Sequence, residues 1–372
     1  MLTRYGATLL FVYSTFFATA QTNLNLSLPR VPSPAASVSQ VIGISTVSVK
    51  YSRPSVKNRE IWGALVPYGW NVQGFGLGNS APWRAGANEN TVLHLSHPAT
   101  IEGHQVPAGD YGLFFVINKD NTGEVILSRE YRSWGSFFYD PKYDEMRANI
   151  TVRPAPMTEL LTYDFSNVTR TSCELDLTWE KLQFPVKIEF DVDKIVMENA
   201  NQELKSTAGF NWQGYSNAAN YALANKLTDD YDQALKWADQ AIAINSNFTD
   251  LTVKSDLLRQ MGKTAEADNI RRDAVAVGTE VELNNYGYQL LNDKDQDRAI
   301  EVFILNTQRH PTSANTFDSL GEAYMDGGQN GKAVTNYRKS LKLNPKNHNA
   351  ERMLQKLGAS ELASSRYIGG PI

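Results

Sequence analysis

Between residues 37 and 195 apolar and polar side chains alternate with a period of two. Val38, Val41 and Ile44, then Val47-Ser48-Val49-Lys50-Tyr51 open the pattern, and Pro54 stops it. Thr91 to Leu95, Tyr111 to Ile117, Glu124 to Leu127, Ala148 to Val152, Leu160 to Phe165, Cys173 to Trp179 and Val186 to Val192 continue it. Turn-forming strings separate them: Glu102-Gly103-His104, Pro107-Ala108-Gly109-Asp110 and Asn121-Thr122-Gly123. Many short strands with no helical runs between them predict an antiparallel β-sandwich or jelly roll over residues 37–200. From residue 208 the period lengthens to that of a helix. Ala234, Ala267, Ala299 and Ala333 recur at intervals of 33, 32 and 34 residues.

A period near 34 in helix–turn–helix units is the mark of tetratricopeptide repeats, an all-α solenoid. Residues 314–347 resemble that family most closely, with Phe317, Leu320-Gly321, Tyr324, Ala333, Tyr337 and Pro345 at its spacing. The predicted units span 215–247, 248–279, 280–313 and 314–347, with a cap over 348–357 and a tail from 358, the whole array occupying 208–357. Gly321 is expected to let its helix approach Ala333. The resemblance implies that the array binds a protein or peptide along the groove formed by the first helix of each unit. Carried over by position, that groove presents Asp256, Arg259, Asn284, Tyr288, Asp318 and Glu322. The bland alternative is an array that serves only as a spacer or as a platform on the β-domain.

Residues 34–195 resemble the DUF2911 domain, a domain of unknown function found in secreted Bacteroidota proteins. The resemblance rests on Tyr51-Ser52-Arg53-Pro54-Ser55-Val56-Lys57, Leu65-Val66-Pro67-Tyr68-Gly69, Trp83-Arg84-Ala85-Gly86-Ala87-Asn88-Glu89-Asn90 and Pro107-Ala108-Gly109-Asp110-Tyr111. A longer stretch around Phe75-Gly76-Leu77-Gly78-Asn79 departs from the family. Guanidinium donors, a carboxylate and aromatic rings inside these strings mark a candidate rim for a glycan or peptide: Tyr51, Arg53, Trp83, Arg84, Asn88, Glu89 and Trp134. Two alternatives stand beside it. One is an internal ion pair from Arg53 or Arg84 to Glu89. The other is a hydrolase acting at Arg53, Arg84 and Glu89.

Composition narrows the chemistry. The 372 residues include 36 Lys+Arg and 40 Asp+Glu, with net charge −3 over 21–200, −2 over 201–372 and +1 from Arg4. Neither half has a basic excess that would neutralise a phosphate backbone, so no nucleic-acid partner is expected. A single cysteine, Cys173, excludes an intrachain disulfide and a cysteine-built zinc site. His94, His97 and His104 follow no ligand spacing, and there is no GxSxG string, so no metal, cofactor or catalytic residue is assigned. Met1 to Ala20 reads as a signal peptide: Arg4, an apolar run from Ala7, then Ala18-Thr19-Ala20 before Gln21. Cleavage there leads to an exported chain, periplasmic or secreted, with no membrane span. Three prolines in Leu28 to Pro34 make residues 21–36 an extended linker.

Overall fold

The structure, a computed structural model, describes residues 32–359. The expected signal peptide, most of the linker and all but the first two residues of the tail lie outside them. Contacts divide the chain into two compact units, Met1–Phe190 and Asp191–Ile372.

The first unit carries β1 (Ala35–Ile42), β2 (Ser45–Ser52), β3 (Asn71–Val72), β4 (Ser80–Ala81), β5 (Val92–Leu95), β6 (Ala99–Ile101) and β7 (His104–Val106). Then come β8 (Gly109–Ile117), β9 (Thr122–Ser128), β10 (Asp144–Thr151), β11 (Arg153–Ser166) and β12 (Ser172–Glu189). One sheet has the order β1-β2-β5-β8-β9-β10, a second β11-β12-β6-β7, and β3-β4 form a small hairpin. Every pairing is antiparallel. The alternation read in β2 is the burial seen, with Val47, Val49 and Tyr51 inside. Gly43, at φ +59°, forms the two-residue turn that joins β1 to β2 in register. The two sheets meet through rings: Tyr51 lies 4.7 Å from Tyr163 and Phe115 5.3 Å from Phe184.

Two details depart from the strand pattern. Cys173–Trp179 and Val186–Glu189 belong to one long strand, β12, which bends at Glu180 (φ +53°). The alternation also does not run on to Val192. Asp191 accepts a hydrogen bond from the Lys194 amide and caps a helix there, because a short acceptor side chain satisfies a free first-turn donor.

The second unit is helical: α1 (Val192–Glu203), α2 (Trp212–Ala224), α3 (Tyr231–Ile244), α4 (Phe248–Gln260) and α5 (Thr264–Val277). It continues with α6 (Glu280–Asn292), α7 (Gln296–Arg309), α8 (Ala314–Asp326), α9 (Asn330–Leu343) and α10 (His348–Lys356). From α2 to α9 these form four helical hairpins. Their repeat alanines Ala234, Ala267, Ala299 and Ala333 are fully buried where two helices of a pair meet. α1, which lies in the expected β-domain range up to 200, instead sends Met197 into the core of the first hairpin beside Ala219, Ala222 and Trp237. Its Asp193 accepts a hydrogen bond from the Tyr221 hydroxyl at 2.8 Å. The polar string Glu198 to Gln202 lies inside this helix.

Candidate functional site

The β-unit's long irregular segment, residues 53–91, builds a cleft of about 650 Å³. Hydrogen bonds fix its walls. The Trp83 amide donates to the Phe115 carbonyl at 2.8 Å and the Phe115 amide returns the bond at 2.9 Å. The Ser136 hydroxyl holds the Pro82 carbonyl at 2.6 Å, and the Tyr163 and Thr91 hydroxyls hold that of Ala85 at 3.0 and 3.1 Å. So held, the segment keeps Lys57, Asn58, Ala85 and Asn88 at φ between +48° and +61°. Such strain in residues with side chains persists only where the surroundings over-determine it.

Arg84 enters the cleft through a narrow slot. Its guanidinium donates to the Asn88 carbonyl at 2.7 Å and stands 5.0 Å from the centre of the Phe137 ring. The opposite wall is Gly135, where any Cβ would collide with the guanidinium carbon. Burial lowers the guanidinium's affinity for its proton, because a charge removed from water is disfavoured. Two further cations line the cleft. Arg59 donates to the carbonyls of Val56 and Ser55, and Lys57 stands exposed beside it. The lining contains no aspartate, glutamate or histidine.

Trp83 and Trp179 line the cleft, and Trp62 packs on both from outside the lining. Trp83 stacks on Trp179 at 5.9 Å and 16°, and Trp62 meets both edge-on at 5.7 and 5.9 Å. Trp179 is 1% exposed, yet its Nε1 has no acceptor among the described residues. A buried indole N–H normally finds one.

Of the residues expected at the rim, Trp83, Arg84 and Asn88 meet in this cleft. Tyr51 does not: its alternation turns it inward, and its hydroxyl accepts from the Tyr163 amide at 3.2 Å. Arg53 is likewise elsewhere, donating to the Leu161 carbonyl at 2.9 Å and the Thr162 hydroxyl at 2.7 Å, so it secures β11. Glu89 is half-buried and outside the lining. Trp134 is exposed and also outside it. Sequence reasoning missed Lys57, Arg59, Trp179, and the amides Asn71 and Gln73. The last two come from the stretch that departs from the family, which folds as the β3–β4 hairpin. The only signal for them was the density of the 53–91 segment in polar and aromatic residues.

In the array, the expected groove residues bond largely to their neighbours. The Tyr288 hydroxyl lies 2.8 Å from Glu322 and 3.2 Å from Ser319, joining α6 to α8. Asp318 accepts from Asn349 of α10 at 2.8 Å, and Arg259 pairs with Asp268 at 2.6 Å. Asp256 accepts from Arg271, which also lies over the Tyr286 ring. Asn284 keeps a buried side-chain oxygen without a donor among the described residues.

Elsewhere in the β-unit, His94 pairs with Asp110 across β5 and β8 at 2.7 Å. Burial pushes the Cys173 thiol up to about 11, far from a reactive thiolate. Among the described residues no group of three or more His, Cys, Asp or Glu side chains could hold a metal ion, and no helix is long and apolar enough to cross a membrane.

Comparison with known proteins agrees with this division. No curated protein matches the chain. Several solved structures are similar to part of the chain. One is YrrB, titled a TPR protein with an unusual peptide-binding site: 17% identity, 44% of this chain and 84% of that one, TM-score 0.28. Another is pilF of Pseudomonas aeruginosa: 21% identity, 41% and 71% coverage, TM-score 0.28. A third is the C-terminal part of a TPR repeat-containing protein from Cytophaga hutchinsonii: 18% identity, 44% and 76% coverage, TM-score 0.29. The family model DUF2911, a protein of unknown function, matches residues 33–188, and a tetratricopeptide-repeat model matches residues 314–347. The β-unit thus matches the DUF2911 model, and the fourth helical hairpin matches the tetratricopeptide-repeat model.

Proposed function

We propose that this chain is an exported interaction protein with two working surfaces. The tetratricopeptide array docks a protein partner, since stacked helical hairpins present a continuous face to a bound segment. The β-domain binds a separate ligand, a glycan or a peptide, in the cleft around Arg84. The observation that carries this reading is the cleft itself: its volume suits a bound ligand, and Arg84 and Trp83 converge in it on rigidly held backbone. The cleft brings cations, amides and indoles to a ligand, which suits recognition, and Arg53 and Glu89 do not join Arg84 there to make a hydrolytic trio.

Export rests on the pattern of residues 1–20. The mature chain is expected to begin at Gln21, and N-terminal sequencing that finds residues 1–20 in the exported protein overturns that part. For the array, cross-linking capture with residues 21–372 is compared with capture by residues 21–190. A partner retained by the shorter chain would move protein docking from the array to the β-domain.

A further inference from the structure

The cleft's electrostatics go further than a generic ligand site. Three cations line it: the Arg84 side chain donates to the Asn88 carbonyl and that of Arg59 to those of Val56 and Ser55, while the Lys57 amide donates to the Glu159 carboxylate at 2.9 Å. Among the described residues the lining itself holds three cations and no carboxylate, Glu159 standing outside it. Arg84 is also partly removed from water, held between Phe137 and Gly135. A partly desolvated guanidinium on a cleft that two further cations line is stabilised by an arriving anion. The rest of the lining is not that of a site for a bare ion. Asn71, Gln73 and Ser55 offer amide and hydroxyl partners, and Trp83 offers part of a flat ring. Trp179 adds a buried donor whose bond is unmade. Hydroxyl-bearing rings match amides and an indole face, whereas an aliphatic acid would leave those amides unpaired.

Resting on the reading of the cleft as a ligand site, we propose that it takes an anionic saccharide, whose carboxylate or sulfate ester is held by Arg84 with Lys57 and Arg59 behind it. Arg is suited to this role because its planar fork meets either oxyanion with two parallel hydrogen bonds. Lys57 and Arg59, both exposed, act as longer-range attraction.

The test is calorimetric titration of the mature chain, residues 21–372, with trigalacturonate, a sulfate-ester galactose trisaccharide and neutral galactotriose. At least one charged trisaccharide is expected to bind tenfold or more tighter than the neutral one, and added salt should narrow the gap. Which one binds decides between carboxylate and sulfate. Arg84→Gln should lose at least tenfold. Because Arg84 fills a packed slot, Lys57→Gln provides a second reading on an exposed side chain, with a several-fold loss expected and an unchanged melting temperature. Equal binding of charged and neutral trisaccharides overturns the anion inference while keeping the cleft as a ligand site. Tetraglutamate bound in preference to all three, and weakened by Arg84→Gln, overturns the saccharide. If no probe binds, both the inference and the cleft reading fall.

Discussion

The second hairpin of the array and the two that follow it fill the same internal gap with different chemistry. In α6–α7 and α8–α9 a buried ring packs against a glycine of the facing helix. A Cβ at Gly287 would stand 2.5 Å from the Phe303 ring, and one at Gly321 would stand 2.9 Å from that of Tyr337. Both rings are fully buried, four residues after the repeat alanines Ala299 and Ala333. Four residues after Ala267, in α5, the chain has Arg271, and the facing position of α4 is Ser255, whose hydroxyl bonds the Ala267 carbonyl at 2.9 Å. Arg271 is 9% exposed, joined to Asp256, 4.9 Å from the Tyr286 ring, and its Nη1 has no partner among the described residues. Beside it lies a hollow of about 480 Å³ bounded by α5, α6 and α7. Phe303 on Gly287 closes the gap with dispersion and apolar burial alone, whereas Tyr337 on Gly321 also buries a hydroxyl that has no partner among the described residues. A guanidinium needs partners for each N–H, and an unmet one in a dry site is costly. In the second hairpin the charged filler comes with a neighbouring carboxylate, Asp256.

The largest expected effect removes a ring. Phe303→Ala should destabilise the array by about 3–5 kcal/mol, because the surrounding helices cannot collapse onto Gly287. Denaturant unfolding followed by far-UV circular dichroism measures it. A loss under about 1 kcal/mol, the scale of an ordinary point mutation, would show that the ring does not hold the two helices together.

Filling the glycine instead of emptying the ring gives the next effect. Gly321→Leu should cost about 1–3 kcal/mol by overpacking against Tyr337. Gly321→Ala should also destabilise, though alanine is the better helix former by about 1 kcal/mol, since Tyr337 is enclosed and cannot swing away. An alanine variant that melts above wild type would mean that the ring yields, and the distinction between the two kinds of hairpin would weaken.

How far the sequence reached follows from the same physics. The four hairpins were legible because close helix contact limits residue choice at fixed spacing, as at Ala299 and Ala333. The atoms nearest a Cβ at Gly321 are those of Tyr337, one turn beyond Ala333 on the facing helix. α1 was hidden because Val186 to Phe190 alternates as a strand right up to the Asp191 cap. In the β-domain, alternation through Val47, Val49 and Tyr51 already put Tyr51 on the inner face, so its place in the core could have been read. The cleft could not be read whole. Arg84 and Trp83 are adjacent in sequence, but Lys57, Asn71 and Trp179 reach it through an irregular segment and a distant strand, which no periodicity records.

The finest test separates charge from volume in the second hairpin. Asp256→Ala leaves Arg271 buried with its carboxylate gone, at a cost of about 1–3 kcal/mol, toward the low end of the usual penalty because Asp256 is itself about one-third open to water. Arg271→Met keeps an apolar stem in the gap and removes the charge that needs partners. It should fall within about 1 kcal/mol of wild type, on either side, because Asp256 then rehydrates and no orphaned N–H remains. The double variant should resemble Arg271→Met rather than the sum of the two. Were Arg271→Met to cost as much as Phe303→Ala, the guanidinium would be holding the hairpin as firmly as a ring does. The two chemistries would then be equivalent, and the unmet Nη1 would need another account.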